Sequence, residues 1–296
     1  MERSDLSVAL LRQRLVLLLR AMPAVQEGDV TSVHQARVAS RRLRSALPVL
    51  GVRADADALE RARRRVRRIT RALGPVRELD VALSLLAELE TRKAVSEKAI
   101  GLVRQAVTAE RNARRREMLD ELTPSRLDKL RKRLVEVAVP DTTPRLPLSG
   151  VEEAAKQAAI RAVGLRTAIE RAGGIYLADR LHRVRIAAKK LRYALEIQRE
   201  LTRSRSTARL TRLKAQQDLL GRMHDFEMLI DRTRGVQEAL AASDRRSTAE
   251  LDALIRLLED ECRQGHAAYM HSRGALLKLC ENVIDDSAPR RPTAVA

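Results

Sequence analysis

Apolar residues recur along this chain at spacings of three and four, the mark of helices that bury one face. Between Gly and Pro punctuation the pattern predicts helices over residues 5–22, 30–50, 54–73, 76–92, 96–121 and 125–138. It predicts further helices over 150–172, 176–202, 206–221, 223–242 and 246–279. The segment VPDTTPRLPLSG, residues 139–150, carries three prolines and reads as a linker. Ser149 followed by Glu152 has the spacing of a capping box that opens the next helix. The closing stretch DDSAPRRPTAVA lacks apolar periodicity and is expected to be disordered. The expected organisation is thus a first half at 5–138, the linker at 139–150, a second half at 151–280 and a tail at 281–296.

The same pattern occurs twice. Residues 33–47 read VHQARVASRRLRSAL and residues 181–195 read LHRVRIAAKKLRYAL; aligned without gaps, seven of the fifteen positions are identical. A second landmark follows each copy, LGPVRELDV at 73–81 and LGRMHDFEM at 220–228. The first His precedes the landmark Gly by 40 residues in one copy and by 39 in the other. One unit has been duplicated on this reading, with the proline linker between the halves.

At about 100° per residue, His34, Arg37, Arg41 and Arg44 fall within one arc of their helix, and His182, Arg185, Lys189 and Arg192 repeat the arrangement. Ala36, Ala39, Leu43, Ala46, Leu47 and Leu50 gather on another side, so the cations form a distinct stripe on the order of 15 Å long. Neither stripe is expected to contain an acid at salt-bridge spacing. The run ERARRRVRRITR, 60–71, adds more arginines, of which Arg67 aligns with Lys214 and Arg65 with Arg212 in the second copy. At the landmark, Gly74 followed by Pro75 predicts the end of one helix and the start of the next. Glu78 and Asp80, matched by Asp225 and Glu227, would then sit in a first turn, where the helix dipole favours negative charge, and would also hold stripe arginines in place.

Composition sharpens this picture. Fifty-eight Lys and Arg against 39 acids leave a formal charge of +19, which points to a polyanionic partner. Only nine of the cations are Lys. The bias toward planar guanidinium forks suits phosphate oxygens, although a GC-rich genome produces the same bias. One Phe, three Tyr and no Trp leave a core of Ala, Leu, Val and Ile, which suits packed helices better than sheets. Cys262 and Cys280 are too few for a disulfide framework, and a reducing cytoplasm is the default location. Arg12 and Arg14 interrupt the apolar N-terminal stretch, and no segment approaches the roughly 18 uncharged apolar residues of a membrane span. Neither His34 nor His182 has a His, Cys or carboxylate at i+3 or i+4, so no metal site is expected. No glycine-rich phosphate loop, nucleophile elbow or metalloprotease helix occurs, so no catalytic residue and no cofactor are expected.

The two His-headed helices with their landmarks, VHQARVASRRLRSAL with LGPVRELDV and LHRVRIAAKKLRYALEI with LLGRMHDFEML, resemble the CHAD family, the conserved histidine α-helical domain. The flanking LRAMPAVQEGDVTSVHQARV and ELTPSRLDKL also fit, so the resemblance covers roughly residues 5–280. It implies an all-α fold of two pseudo-symmetric four-helix bundles from an internal duplication, with basic residues facing a groove or pore that binds inorganic polyphosphate, and association with polyphosphate granules. Carried over position by position, the binding set is His34, Arg37, Arg41, Arg42 and Arg44 with His182, Arg185, Lys189, Lys190 and Arg192, joined by Arg67 and Lys214. The triphosphatase domain fused to some members has no counterpart here, which leaves non-catalytic binding as the expected function. A nucleic-acid-binding protein shares the electrostatics. Single-strand binders, however, add stacking aromatics, and this chain offers only Tyr176, Tyr193, Tyr269 and Phe226.

Overall fold

The computed structural model describes residues 3–51, 54–93, 95–137, 150–240 and 244–287, and these form nine helices without a strand. They are α1 (Arg3–Glu27), α2 (Val30–Leu50), α3 (Ala56–Thr91), α4 (Glu97–Glu121), α5 (Pro124–Val137), α6 (Gly150–Ala172), α7 (Ala178–Thr202), α8 (Ala208–Glu238) and α9 (Arg245–Asp285). The predicted linker from 139 to 149, with the Ser149 cap, and the tail beyond 287 lie outside the described residues. Within the expected tail, residues 281–285 belong to α9.

Local chemistry sets several boundaries. The Asp29 carboxylate accepts the Ser32 N–H at 2.6 Å and caps α2, which holds its pKa below the ordinary carboxylate value. Asp55 caps α3 through Ala58 N–H at 2.8 Å, and Ser96 caps α4. Where two helices were expected on either side of Gly74–Pro75, α3 runs unbroken for 36 residues. The expected break at Gly221 is likewise absent from α8. Eleven predicted helices therefore become nine, because Gly74–Pro75 and Gly221 are local stop signals that tertiary packing overrides.

Two compact units emerge. One comprises Met1–Arg145 with Arg222–Gly265, the other Leu146–Gly221 with His266–Ala296. This division differs from the sequence halves at 5–138 and 151–280, since α8 changes unit after Gly221 and α9 after Gly265. In the first unit α1 packs on α2, α2 on α3, and α3 on α4 and α5. The Glu88 carboxylate of α3 receives both Nη atoms of Arg222 at 3.0 and 2.7 Å, Arg92 bonds Glu261 at 3.1 Å, and Arg232 bonds Glu110 at 3.2 Å. These pairs fasten the borrowed stretches of α8 and α9 to α3 and α4, and a Cβ on Gly265 would come within 2.6 Å of Met223 Cγ where α9 meets α8.

In the second unit α6 lies against α7. Its buried face begins with Ala154, Ala158 and Ala162, small side chains that let the helices approach closely. The buried rows of α2 and α7 match in order and spacing: Val33, Ala36, Ser40, Leu43 and Leu47 answer Leu181, Val184, Ala188, Leu191 and Leu195. Leu43 and Leu191 are fully enclosed, and truncating either to Ala would cost about 2–5 kcal/mol.

Candidate polyanion-binding site

Burying this row fixes what each helix shows on its other faces. On α2 the row holds His34 and Arg44 exposed and Arg37 and Arg41 partly covered. α3 runs antiparallel beside it, so that Gly51 meets Leu59 near the turn while Arg37 meets Gly74 farther along. Arg37 Nη1 reaches the Thr70 carbonyl at 3.5 Å, and its Nη2 donates to Glu78 Oε1 at 3.3 Å. A Cβ on Gly74 would lie 2.8 Å from Arg37 Nη1, so the glycine is a seat for the guanidinium rather than a helix end. Continuing the same register sets His34 beside Arg77, Arg41 opposite the turn of Thr70 and Arg71, and Arg44 opposite Arg67. Arg64, Arg67 and Arg71 are exposed at spacings of three and four on α3.

The second unit repeats this geometry on α7 and the first part of α8. Arg185 Nε lies 3.8 Å from where a Cβ on Gly221 would be, and Gln217 Nε2 donates to the Ala188 carbonyl at 2.9 Å. The register then brings Lys189 level with Gln217 and Arg192 with Lys214. His182, Arg185, Lys189 and Arg192 are partly covered and Lys214 is exposed.

Of the twelve predicted residues, five therefore assemble along the α2–α3 seam, namely His34, Arg37, Arg41, Arg44 and Arg67. Five more assemble along the α7–α8 seam: His182, Arg185, Lys189, Arg192 and Lys214. Arg42 and Lys190 are exposed about 100° round their helices from Arg41 and Lys189, off the two rows. Arg77 joins the first row, and the signal for it was its place three residues after Gly74 in the landmark.

The electrostatics show which cations are already compensated. The expectation that the stripes lack acids fails for the second, where Arg192 Nε sits 3.7 Å from Glu196 on the next turn of α7. The first stripe borrows Glu78 from α3. The landmark acids do not occupy a helix first turn, because α3 continues through them. Asp80 is buried and accepts Arg111 Nε at 2.6 Å, so it holds α4 to α3 rather than holding a stripe arginine. In the run at 60–71, Arg61 pairs with Asp55, Arg63 with Glu60 and Arg68 with Glu121. Among the described residues no ion pair reaches Arg41, Arg64, Arg67, Arg71 or Arg77, and the Arg41 Nε is buried without a hydrogen-bond partner. Partial desolvation, followed by repulsion from Arg77 and Arg37, lowers the His34 pKa below its ordinary value, so this imidazole is mostly neutral near pH 7 in the free protein.

This arrangement can receive an extended anion whose charges repeat. It offers forks of donors along helix seams and no cluster of three or more His, Cys, Asp or Glu residues among those described. Nor is any described helix long and apolar enough to cross a membrane.

Comparison with known proteins agrees with the fold. The family model of the CHAD domain matches residues 9–234. The crystal structure of the CHAD domain from the plant Ricinus communis is 25% identical, covers 96% of this chain and 92% of its own, and superposes with a TM-score of 0.62. PptA from Streptomyces chartreusis is similar in fold, with 19% identity, coverage of 96% and 98%, and a TM-score of 0.65. No curated protein matches in sequence.

Proposed function

From the premise that this chain belongs to the CHAD family, we propose that it binds inorganic polyphosphate without catalysis, through the α2–α3 row and the α7–α8 row. The observation that carries this reading is the repeated seat, Arg37 over Gly74 and Arg185 over Gly221, each within a row of cations. Arg41, Arg64, Arg67 and Arg71 have no internal counter-ion among the described residues, so an incoming phosphate chain meets them without displacing a carboxylate. Polyphosphate presents one charge per phosphate on a flexible backbone, and a linear row of guanidiniums suits it better than a base-reading surface would. In the cell such binding would place the protein in the cytoplasm, on polyphosphate granules.

The test is a competition titration of long-chain polyphosphate against duplex and single-stranded DNA at matched phosphate concentration, repeated across salt. Polyphosphate is expected to win clearly, with log affinity falling linearly against log salt as counterions are released. Arg37→Glu combined with Arg41→Glu is expected to cost at least tenfold in affinity, roughly 1.4 kcal/mol. Equal binding of DNA would make the rows a general basic surface and bring nucleic acid to the front. Release of phosphate on adding magnesium or manganese would refute the non-catalytic reading.

A further inference from the structure

A cavity of about 470 Å³ opens in the second unit between the end of α7, the start of α8 and the end of α9. Its size lies within the roughly 300–1,000 Å³ of small-molecule sites. Leu195, Leu210 and Leu279 give it an apolar lining, while Arg199, Arg209 and Arg212 bring three guanidiniums to the same space. Arg209 is held by Asp286 at 2.5 Å, but among the described residues no ion pair reaches Arg199 or Arg212. The hydroxyls of Ser204 and Ser206 and the carboxamides of Gln198 and Asn282 complete the polar part.

This cavity is distinct from the α7–α8 row. On α7 its lining residues Leu195, Gln198 and Thr202 lie roughly 130° round the helix from His182, Arg185, Lys189 and Arg192, Arg199 stands at the edge nearest that row, and none of the predicted polyphosphate-binding residues lines it. A linear phosphate chain has no use for a leucine-lined wall. A ligand with phosphates at one end and a flat, weakly polar body at the other would use every part: guanidiniums and hydroxyls for the phosphates, leucines for the face of the body, and carboxamides for its edge.

We propose that this cavity is a binding site for a nucleoside polyphosphate, separate from the rows that grip polyphosphate. The proposal stands whether or not those rows bind polyphosphate. Isothermal titration of the full chain with ATP, sodium tripolyphosphate and adenosine at physiological salt tests it. One ATP per chain is expected, at least tenfold tighter than tripolyphosphate, with adenosine weaker than either. Arg199→Glu with Arg212→Glu is expected to weaken ATP at least tenfold. Ser206→Trp, an exposed loop substitution that obstructs the mouth, is expected to do the same while leaving long-chain polyphosphate binding unchanged. Tripolyphosphate binding as tightly as ATP, ATP binding unaffected by both variants, or the absence of ATP binding would each overturn the proposal.

Discussion

An alanine at position 74 would set its Cβ 2.8 Å from the tip of Arg37, whereas at position 265 it would meet the Cγ of buried Met223 at 2.6 Å. The two glycines thus predict different outcomes. The end of an arginine can move aside, and the helix propensity gained by Ala is offset by crowding of its Cβ against the Pro75 ring, so Gly74→Ala should leave the melting temperature nearly unchanged. The same change should weaken polyphosphate binding several-fold by unseating the guanidinium. Met223 has no such freedom near its backbone, and Gly265→Ala should destabilise by about 1–3 kcal/mol in a denaturant melt. His34 supplies a pH signature. Its pKa is lowered in the folded protein from the ordinary 6.5, so the unfolded chain takes up the proton first. The small stabilisation this gives is present above pH 6.5 and lost as pH falls through that value toward the folded pKa. A bound polyanion offsets the repulsion from Arg77 and Arg37 and should raise the His34 pKa, so affinity should rise as the pH is lowered through this range. An NMR titration of the imidazole with and without polyphosphate checks it; an unmoved pKa would remove His34 from the binding row.

At the scale of the helix, what was legible in sequence was whatever depends on period. The stripes His34–Arg44 and His182–Arg192 are visible because burying Val33, Ala36, Leu43 and Leu47, or Leu181, Val184, Leu191 and Leu195, leaves those cations on another face. The landmark was visible as a repeat but misread as a helix boundary. Gly74 and Pro75 look the same in sequence whether they end a helix or sit inside one, and only the approach of Arg37 from α2 shows why glycine is there. Pro75 leaves the Arg71 carbonyl without its usual N–H donor, and its exposed position on α3 lets water take that place. Glu78, 41 residues from Arg37, carried no local signal of the pairing it makes, whereas Glu196, four residues after Arg192, did and was overlooked. The exposed Arg42 and Lys190 came from the family pattern rather than from helical spacing, and the rows pass them by.

For the molecule as a whole, the sequence suggested contiguous halves, and the compact units are not contiguous. Contacts such as Glu88 with Arg222 and Glu110 with Arg232 join residues more than 100 positions apart, a separation that no local pattern encodes. Residues 1–145 expressed alone should therefore be helical by circular dichroism yet melt without cooperativity and bind a hydrophobic dye, because α3 and α4 lose the parts of α8 and α9 that cover them. A sharp melting transition in that fragment would show that the borrowed stretches are dispensable. The same division bears on how the chain is made. When the ribosome has completed residue 145, the first unit still waits for residue 265, 120 residues later. At about 5–20 residues per second that is roughly 6–24 s. Through that interval the arginine-rich nascent chain stands beside the polyanionic ribosome with the partners of Glu88 and Glu110 still unmade, so the first unit closes only after most of the second has emerged.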